Sequence, residues 1–502
     1  MSLLAIDIGS SACKAVVFTI AGDILAKYSV TYTPDFPHPC HAELDPDKFW
    51  YAICAVCQTV TKATSESVQA LCLSSHGETF VAVDSDGRAL APAILNQDSR
   101  ASEEANWCVL EIGRKRLFEI TGLVAHPMYP IPKILWLHRN KAELFARTTR
   151  FVTLIGYLLL KMGLPPYVDY SLASRFLAFD IRGRCWSEEI LSMVRISSDR
   201  LPVPVPAGTV VGKLNTEAAD RLGLAPGTTV ILGGHDQPCG AVGVGVIEAG
   251  RVSDSIGTYE CLLACSDEPC LSDVALSASL NSYCHVVPDK FVTLAYFPSG
   301  IMVKWFHDLL YAGESSGKSS EVTSPEAEAQ HYSSLESDKT AVPTGICVTP
   351  HLIGTCNPEF NPHVRAAIVG LSAGTTRGQI YQGILEGLSC ELSMLANVLA
   401  DAVGGFQDIY AYGGGTRTAL GLRLRAALTG RRLHLMAQQE SVCLGTAILA
   451  AVAADEYKSV SEAVDQMVHE ATVLHPDPEL SDRYREQMKR YCLLRSVVTS
   501  QV

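Results

Sequence analysis

Short apolar runs alternate with small polar turns over the first part of the chain. Apolar residues at 3–8 and 15–20 predict two buried strands, and the turn at 21–23 predicts a hairpin into a third strand. Residues 46–63 have apolar side chains at helical spacing, so they predict a helix that begins after Asp45. This order of strands and helix is typical of an α/β domain.

A similar pattern returns in the second half of the chain. Residues 228–232 predict a strand, and residues 252–256 and 260–264 predict two strands on either side of a turn. Residues 409–412 predict a strand that runs into three glycines, and residues 419–428 predict the helix that follows. Two strand–turn–strand units in one chain indicate a duplicated α/β architecture with a cleft between two lobes.

We place the boundary between the two predicted lobes after residue 246. Residues 1–246 form the N-terminal lobe, and residues 247–502 form the C-terminal lobe, which helices at 460–502 are expected to close. Residues 312–341 are rich in Ser, Glu and Ala and predict a surface excursion. A chain of 502 residues is long enough for both lobes, since a single core stops growing near roughly 250–300 residues.

The composition narrows the class of protein. A formal net charge of −13 argues against electrostatic binding of nucleic acid. The most apolar stretch, at 151–160, is too short to span a bilayer, and the first residues lack the basic and apolar regions of a signal peptide. The 17 cysteines are scattered rather than spaced as zinc ligands, so a reducing compartment is the default. We expect a cytoplasmic protein that binds neither nucleic acid nor membrane.

The turn after the first predicted strand is the first candidate site. Asp7 lies at the end of this strand, and Gly9, Ser10, Ser11 and Lys14 follow it. Small residues let backbone N–H groups approach a phosphate, the two hydroxyls can donate to it, and the lysine can meet its charge. A carboxylate at a strand end can hold hydrated Mg2+. The alternative is an ordinary hairpin turn without a ligand.

A second acid lies among glycines, after the strand predicted at 228–232. An acid at the carboxyl end of a strand lies at the edge of the cleft in α/β folds. Phosphoryl transfer to an alcohol needs a carboxylate that accepts the hydroxyl proton, and Asp236 is the candidate for this base. The alternative is a structural cap of a helix predicted at 241–246.

Two further glycine turns suit a nucleotide. Gly257 and Thr258 lie between two predicted strands and suit the β- and γ-phosphates. Gly414 and Gly415 would let an adenosine lie against the backbone, and the helix after them favours phosphate at its N-terminus. A tight strand-to-helix turn is the alternative there. No Gly-Lys-Ser/Thr follows, so this turn is not a Walker loop.

Short motifs run in order through nearly the whole chain. They are Asp7-Ile8-Gly9-Ser10-Ser11 with Lys14, Ala42-Glu43-Leu44-Asp45-Pro46 with Trp50, Asn96-Gln97-Asp98-Ser99-Arg100-Ala101, Pro132-Lys133 with Trp136, Asp169-Tyr170-Ser171 with Ala173-Ser174, Gly233-Gly234-His235-Asp236-Gln237, Gly257-Thr258, Gly370-Leu371-Ser372, Glu386-Gly387, Gly413-Gly414-Gly415, and Glu440 with Gly445-Thr446-Ala447. Each motif is short, but as a colinear set they resemble the FGGY carbohydrate kinase family.

The resemblance implies a fold and an activity. The fold would be two ribonuclease-H-like lobes, of the actin, sugar kinase and Hsp70 superfamily, around an ATP cleft. The activity would be transfer of the γ-phosphate of ATP, with Mg2+, to a hydroxyl of a small sugar or polyol. Relatives in this family often form dimers or tetramers, so a homodimer is one expectation.

The resemblance also implies roles for the motif residues. By position, Asp236 corresponds to the catalytic base of the family, and Asp7 with the turn at 9–14 corresponds to its first phosphate loop. Gly257-Thr258 corresponds to the second phosphate loop, and Gly414-Gly415 to the adenosine motif. We expect Asp7 and Asp236 to hold the metal ion. Residues 416–418 depart from the usual Gly-Gly-Gly-Ala-x-Ser pattern, so the choice of nucleotide base stays open.

The predicted acceptor pocket gives conflicting signals. Where xylulokinases usually have Gln-Met-His-Gly and glycerol kinases have Arg-Glu-Thr, residues 74–79 read Ser-Ser-His-Gly-Glu-Thr. Residues 126–128 are similar to a segment of FGGY gluconokinases. Glu78 can accept hydrogen bonds from neutral hydroxyls and would repel a carboxylate unless a cation intervened. Gly77 would leave room for an acceptor larger than glycerol. We therefore expect a ketopentose such as D-xylulose, with gluconate, glycerol or another polyol as alternatives.

Further pocket candidates are His76, Asp98 and Gln237. For each of them, a structural hydrogen bond is the alternative to contact with the acceptor. Two other classes of protein also fit the phosphate loops. One is an actin- or Hsp70-like protein that uses ATP to switch a binding surface, and the other is a sugar sensor on a kinase fold. The position of Asp236 within its motif and the order of the motifs disfavour the switch protein.

Overall fold

Two large sheets, of six and seven strands, organise the fold. The computed structural model describes residues 2–311, 331–332, 334–335 and 342–500. The surface excursion predicted at 312–341 lies almost entirely outside the described residues. Strands and helices are mixed within both lobes, so the predicted α/β class is confirmed.

The N-terminal sheet brings three parallel strands to one common edge. In spatial order its strands are Val210–Lys213, Thr229–His235, Val68–Ser75, Ser2–Ile8, Ala12–Thr19 and Ile24–Thr31. In the three parallel strands, Ile8, Ser75 and His235 are in register at the carboxyl ends. These strands are largely buried on both faces, which is why they read as nearly continuous apolar runs.

Helices cover both faces of this sheet. The predicted helix is confirmed as Pro46–Ala63, and its N-cap Asp45 accepts the N–H of Asp47 at 3.0 Å. The opposite face is covered by Asp236–Val242, Ser441–Ala453 and Val460–Met467. The last two helices were expected to belong to the C-terminal lobe. Their buried apolar faces pack on the N-terminal sheet instead, and of the predicted closing helices only Pro478–Ser500 packs on the C-terminal lobe.

The C-terminal sheet repeats the arrangement of a hairpin next to a parallel strand. In spatial order its strands are Asn281–Cys284, Phe291–Pro298, Tyr259–Ser266, Arg251–Ile256, Asp408–Tyr412, Arg432–Met436 and Glu470–Leu474. Ser255 lies opposite Tyr412 in the parallel pair, so the two turns that follow these strands lie side by side.

The core of the C-terminal lobe is built around the helix Arg377–Val403. Thr376 caps it by accepting the N–H of Gln379, while the Gln379 side chain accepts the N–H of Thr376. Among the described residues it is the one helix long and apolar enough to cross a membrane, and 78% of its most apolar window is buried inside the protein. Burial of this kind is what a core helix of a globular domain shows.

Smaller elements complete the described part of the fold. The remaining α-helices are Ser102–Cys108, Arg114–Thr121, Pro130–Asn140, Ala142–Arg147, Leu154–Lys161, Tyr170–Ser174, Glu188–Val194, Thr216–Leu222, Asp273–Ser277, Gly300–Tyr311 and Ala419–Thr429. The minor strands are Glu43–Leu44, Phe80–Val83, Ala93–Ile94, Arg150–Thr153, Val168–Asp169, Phe179–Asp180, Cys185–Trp186, Pro204–Val205, Cys347–Thr349 and Ala367–Val369.

Candidate active site

Three segments that are far apart in sequence meet at the edge of the N-terminal sheet. Each follows the carboxyl end of a parallel strand, and these ends are in register. The segments are the first loop (residues 9–14), residues 76–79 and the start of the helix Asp236–Val242. Ligands of open α/β sheets bind outside such an edge. The convergence brings most of the predicted site residues of the N-terminal lobe together.

The first loop closes tightly on itself. The N–H of Gly9 donates to the carbonyl of Ala12 at 2.9 Å, and the Tyr32 hydroxyl donates to the carbonyl of Gly9. Ser10 is half-buried and Ser11 is exposed. The two hydroxyls therefore lie at the surface of a turn whose backbone is already held in place.

Lys14 has a partner that is far away in sequence. Its Nζ atom lies 2.6 Å from Glu440 Oε2, and Lys27 Nζ lies 3.2 Å from the other oxygen of this carboxylate. Burial alone would raise the pKa of Glu440, but the two ammonium groups lower it overall. The role of Lys14 in meeting a phosphate stays a prediction, in which the phosphate would compete with Glu440 for the ammonium group.

Asp7 and Asp236 form a pair of acids at the common edge. Burial raises the pKa of Asp7 to about 6, although the charge of Lys14 and a 3.4 Å hydrogen bond from Ser74 oppose the shift. Burial also raises the pKa of Asp236 well above its ordinary value, and the charges of Asp7 and Glu78 raise it further. Since each ionised acid disfavours the other, a cation between them would stabilise both.

Asp236 lies where the two lobes meet. It is the first residue of Asp236–Val242, so the helix predicted at 241–246 begins earlier than expected. Its side chain is 21% exposed, and His235 Nε2 lies 3.3 Å from its Oδ1. Burial raises the pKa of Cys261 and Tyr412 in the C-terminal sheet, and the charge of Asp236 raises both further. The carboxylate is thus partly exposed and close to groups of both lobes, rather than enclosed in packed hydrocarbon.

Glu78 forms a buried ion pair with Arg175. Nε of Arg175 donates to Oε1 of Glu78 at 2.5 Å, and less than a twentieth of either side chain is exposed. Glu78 also has a φ of 63°, a left-handed conformation that costs free energy for a residue other than glycine.

The guanidinium of Arg175 lies 5.2 Å and 4.9 Å from the ring centres of Tyr129 and Tyr283, within cation–π range. Nη1 of Arg175 is buried and has no hydrogen-bond partner among the described residues.

The space next to Gly77 is filled by protein. A methyl group at this position would come within 3.2 Å of Cγ of Arg175 and of the His235 ring. The prediction that the missing side chain makes room for the acceptor is therefore wrong. The glycine instead lets the Arg175 side chain pass close to the backbone and reach Glu78.

The other three pocket candidates differ in how far the protein itself uses them. His76 Nδ1 lies 2.9 Å from the carbonyl of Ile8, and its Nε2 lies 2.7 Å from the Thr79 hydroxyl. Asp98 accepts the N–H of Ala42 at 2.7 Å and is paired with Arg100. These contacts favour the structural alternative for His76 and Asp98. Oε1 of Gln237, in contrast, is buried without a partner in the described part of the chain.

The two glycine turns of the C-terminal lobe lie side by side. In the second loop (Gly257 and Thr258), the N–H of Gly257 donates to the Tyr259 carbonyl at 3.0 Å. In the glycine turn (residues 413–415), a methyl group at Gly415 would lie 2.1 Å from Cγ2 of Ile256, while one at Gly414 would meet nothing within 4 Å. Gly415 therefore allows the glycine turn to pack against the strand that leads into the second loop, and Gly414 faces open space.

A cavity of about 280 Å3 lies next to the Glu78–Arg175 pair. Its lining includes His126 and Tyr129 from the N-terminal lobe, and Tyr296 and Phe360 from the C-terminal lobe. Burial lowers the pKa of His126 to about 4, so this ring is neutral near pH 7. Because Tyr129 both lines the cavity and packs on the guanidinium of Arg175, the cavity is next to the Glu78–Arg175 pair.

The family comparison covers both lobes. The model of the N-terminal domain of the FGGY family of carbohydrate kinases matches residues 2–243, and the model of its C-terminal domain matches residues 252–454. The chain belongs to this family of phosphotransferases. The resemblance found in the motifs is thereby confirmed, and ATP is the substrate that the family implies.

Individual relatives of this FGGY kinase have different names. A xylulose kinase of Escherichia coli (strain K12) is 28% identical over 492 residues, which are 97% of this chain and 97% of the relative. A gluconokinase of Bacillus subtilis (strain 168) is 25% identical over 506 residues, 99% of this chain and 96% of the relative. The structure of a ligand-bound xylulose kinase from Lactobacillus acidophilus superimposes with a TM-score of 0.88 at 23% identity, over 99% of this chain and 98% of that chain, and this likeness shows the fold.

Asp7 and Asp236 are the residues of this FGGY kinase that fit Mg2+. Among the described residues, no group of three or more His, Cys, Asp or Glu side chains is arranged to hold a metal ion. Two carboxylates are nevertheless sufficient in a kinase, because Mg2+ usually keeps several waters and binds one or two carboxylates together with the substrate phosphates. The raised pKa of both acids supports the fit, since a cation would offset their mutual repulsion.

Sequence reasoning missed Arg175, the cation that forms the buried ion pair with Glu78 in the FGGY kinase. It directly follows the motif at 169–174 and ends the helix Tyr170–Ser174. A basic residue next to a family motif was a signal that could have marked it. The pairing itself was not visible, because Glu78 and Arg175 are 97 residues apart in sequence.

Proposed function

We propose that this FGGY kinase transfers the γ-phosphate of ATP to a hydroxyl of a ketopentose, with D-xylulose as the first candidate. The position of Asp236 carries the proposal, since this acid lies at the crevice next to Asp7 and Glu78. A base that is close to the phosphate loops and to a polar pocket is what phosphorylation of an alcohol requires.

In the proposed reaction, the oxygen of the acceptor hydroxyl forms a bond to the γ-phosphorus while the bond between this phosphorus and ADP breaks. Asp236 accepts the proton of that hydroxyl. Ser10, Ser11 and the backbone N–H groups of the first and second loops other than those of Gly9 and Gly257 donate to the phosphate oxygens. Gly414, which faces open space, lies under the adenosine. Asp7 and Asp236 would hold Mg2+, which would supply positive charge next to the phosphates.

Closure of the two lobes completes the proposed site. Asp236 belongs to the N-terminal lobe, while the second loop and the glycine turn belong to the C-terminal lobe. Bringing the lobes together aligns the acceptor with the nucleotide and excludes water, which would otherwise accept the phosphoryl group. We also propose that the lobes divide after residue 246, apart from the two later helices that pack on the N-terminal sheet. The homodimer stays a prediction.

An aldonate such as gluconate is the second candidate acceptor. Glu78 would repel the carboxylate of an aldonate unless a cation intervened. Arg175 is such a cation, and its buried Nη1 has no partner among the described residues. Charge-assisted hydrogen bonds from a guanidinium to a carboxylate are strong. The neutral ketose keeps first place because Asp7 and Asp236, in the ionised forms in which they act, would repel a carboxylate in the same site.

An acceptor screen tests the proposal. The purified protein is mixed with MgATP and one acceptor at a time, from ketopentoses, aldonates, polyols and glycerol, and ADP release is compared with phosphosugar formed. We expect the highest kcat/KM with a ketopentose and equal amounts of ADP and phosphosugar. A preference for an aldonate would replace the first candidate with the second. ATP hydrolysis that is independent of sugar would indicate a switch protein, and sugar binding without turnover would indicate a sensor.

A further inference from the structure

A buried ion pair lies behind the second loop. Glu260, two residues after Thr258, accepts two hydrogen bonds of 2.8 Å from Nε and Nη2 of Arg425. The exposed fractions of the two side chains are 0% and 3%. A bidentate pair of this kind fixes geometry as well as charge, because the planar guanidinium matches the carboxylate in only a few orientations.

One end of this pair holds the second loop. The hydroxyl of Ser299 donates to Oε2 of Glu260 at 2.6 Å, and the N–H of Ser299 donates to the carbonyl of Thr258 at 3.1 Å. The next N–H, of Gly300, donates to the Gly257 carbonyl at 3.0 Å. Both carbonyls of the second loop are therefore tied to residues 299–300, and the Ser299 side chain is tied to Glu260.

The other end of the pair holds the glycine turn. Arg425 lies in the helix Ala419–Thr429, which directly follows the turn at 413–415 and its short 3-10 continuation Gly414–Arg417. The turn also packs directly on the strand before the second loop, because a methyl group at Gly413 would lie 2.7 Å from the Ile256 carbonyl. The Glu260–Arg425 pair and the Ile256 contact thus join the same two turns from two sides.

We propose that Glu260 and Arg425 are positioning residues for the nucleotide, which hold the second loop and the glycine turn at the separation that one ATP molecule spans. The inference rests on the proposed function, in which the second loop binds the β- and γ-phosphates and the glycine turn binds the adenosine. Neither residue contacts the nucleotide. They act through Ser299 on one side and through the helix Ala419–Thr429 on the other.

A merely structural ion pair is the competing explanation, and the chain contains a matched control. Glu391 and Arg495 form another buried pair in the same lobe, with Nε of Arg495 3.1 Å from Oε2 of Glu391. This pair joins the helices Arg377–Val403 and Pro478–Ser500, and neither helix carries a nucleotide turn. Glu260→Gln leaves Arg425 buried without its acid, while Glu391→Gln leaves Arg495 with a second bond, from its Nη1 to Glu359 at 2.6 Å. Both changes disturb a buried pair, so both should lower stability.

The test compares Glu260→Gln and Arg425→Lys with Glu391→Gln. For each variant, calorimetric titration with MgADP gives the nucleotide Kd, and steady-state kinetics give KM for ATP, KM for the acceptor and kcat. We expect Glu260→Gln and Arg425→Lys to raise the Kd for ADP and the KM for ATP about tenfold or more, because small displacements of a binding group carry large penalties. KM for the acceptor should stay within about twofold in the same variants. Glu391→Gln should lower the melting temperature but leave both nucleotide constants unchanged.

Ser299→Ala provides a milder variant in case the buried changes prevent folding. It removes one hydroxyl from Glu260 and keeps the ion pair, so we expect a smaller rise in the Kd for ADP of the same sign. Nucleotide constants that move equally in Glu391→Gln, or that do not move in the Glu260, Arg425 and Ser299 variants, would overturn the inference. If the wild-type protein bound no MgADP, the proposed function itself would fail. Normal wild-type binding and turnover, with variants that behave like the control, would remove only the positioning role.

Discussion

Nε of Arg175 lies 2.5 Å from Oε1 of Glu78, and both side chains are buried beside the crevice between the lobes. The pair is net neutral, so the pocket next to Asp236 is less acidic than Glu78 alone would make it. Arg175 also packs on Tyr129 of the N-terminal lobe and on Tyr283 of the C-terminal sheet. The same ion pair therefore bears on two properties, the charge that the acceptor meets and the contact between the lobes.

Removing one partner of the Glu78–Arg175 pair should lower stability more, for each substitution made, than removing both partners together. Arg175→Gln or Glu78→Gln leaves one buried charge without its partner, so we expect each to lower the free energy of unfolding by about 3–5 kcal/mol. The double variant should lose clearly less than the sum of the two single losses. Urea denaturation of the four proteins measures this coupling. As a control, Glu189→Gln breaks an exposed pair with Arg116 and should leave stability within experimental error. Strict additivity of the two buried changes would contradict the prediction.

Asp236→Asn should separate chemistry from binding. The variant keeps the size of the side chain and removes the base, so turnover should fall at least about 100-fold while the protein still folds and binds MgADP. Steady-state kinetics and calorimetric titration give the two readouts. Asp23→Asn, in an exposed turn of the same lobe, is the control and should keep wild-type turnover. An Asp236→Asn variant with near-normal phosphorylation would rule out the proposed base.

The acid limb of the pH profile of kcat/KM should reflect the ionisation of Asp7 and Asp236. Burial raises the pKa of Asp7 to about 6 and raises that of Asp236 well above its ordinary value. Both acids act in their ionised form, so kcat/KM for the acceptor should rise with pH along an acid limb that lies at or above the pKa of Asp7, about 6. Asp7→Asn removes a like charge and should lower the pKa of Asp236, which moves the acid limb of the residual activity to lower pH. The same limb in wild type and variant would argue against this interaction.

Asp254 should make the protein less stable as pH rises. Both oxygens of Asp254 are buried without a partner among the described residues. Burial raises its pKa well above the ordinary value, and the charge of Glu260 raises it further. Above about pH 4 the unfolded chain releases this proton while the folded protein keeps it, so stability is lost at up to about 1.4 kcal/mol per pH unit until the folded pKa is reached.

The isosteric variant Asp254→Asn tests this sign. It cannot ionise, so its free energy of unfolding relative to wild type should increase as pH rises from about 4. Urea denaturation at a series of pH values measures the difference. Asp273→Asn, at a side chain that is 84% exposed, is the control and should show a flat difference. A flat difference for Asp254→Asn as well would show that this acid is not held protonated by the fold.

Two adjacent glycines should respond differently to alanine. Gly415→Ala places a methyl group 2.1 Å from Cγ2 of Ile256, so the glycine turn must shift, and we expect a loss of about 1–3 kcal/mol in stability. Gly414→Ala meets nothing within 4 Å and should leave stability unchanged. If the adenosine lies over Gly414, this second variant should still weaken MgADP binding in calorimetric titration. Wild-type affinity for MgADP in Gly414→Ala would contradict the proposed adenosine site.

Local sequence patterns were sufficient to predict most of the strands and helices and part of the candidate site. The helix Pro46–Ala63, its cap Asp45 and the hairpin strands could be predicted because neighbouring residues alone determine apolar spacing and turn chemistry. Asp7 and Asp236 could be marked as candidates for the same reason, since each follows an apolar strand. The later helix Val460–Met467 was assigned to the other lobe, because an apolar face does not specify which sheet it will cover.

Contacts between distant residues could not be predicted in this way. Lys14 is paired with Glu440, 426 residues away, and the space at Gly77 is filled by Arg175 and His235. The effect of a charged or a missing side chain on a pocket depends on its neighbours in space, which the sequence does not show. This is why the prediction for the phosphate loop needed a partner added, and why the argument from Glu78 against acidic acceptors lost its force.

The order of the motifs along the chain determined the family, the two-lobed fold and the class of reaction, because strand ends, glycine turns and acids are readable one segment at a time. Only the tertiary structure decided which of these groups meet. The parallel register of three strands brings Asp7, Glu78 and Asp236 to one edge, and burial then changes their charges through desolvation and through each other. Electrostatic interaction depends on distance in space and on exclusion of water, and neither quantity is written in a linear sequence.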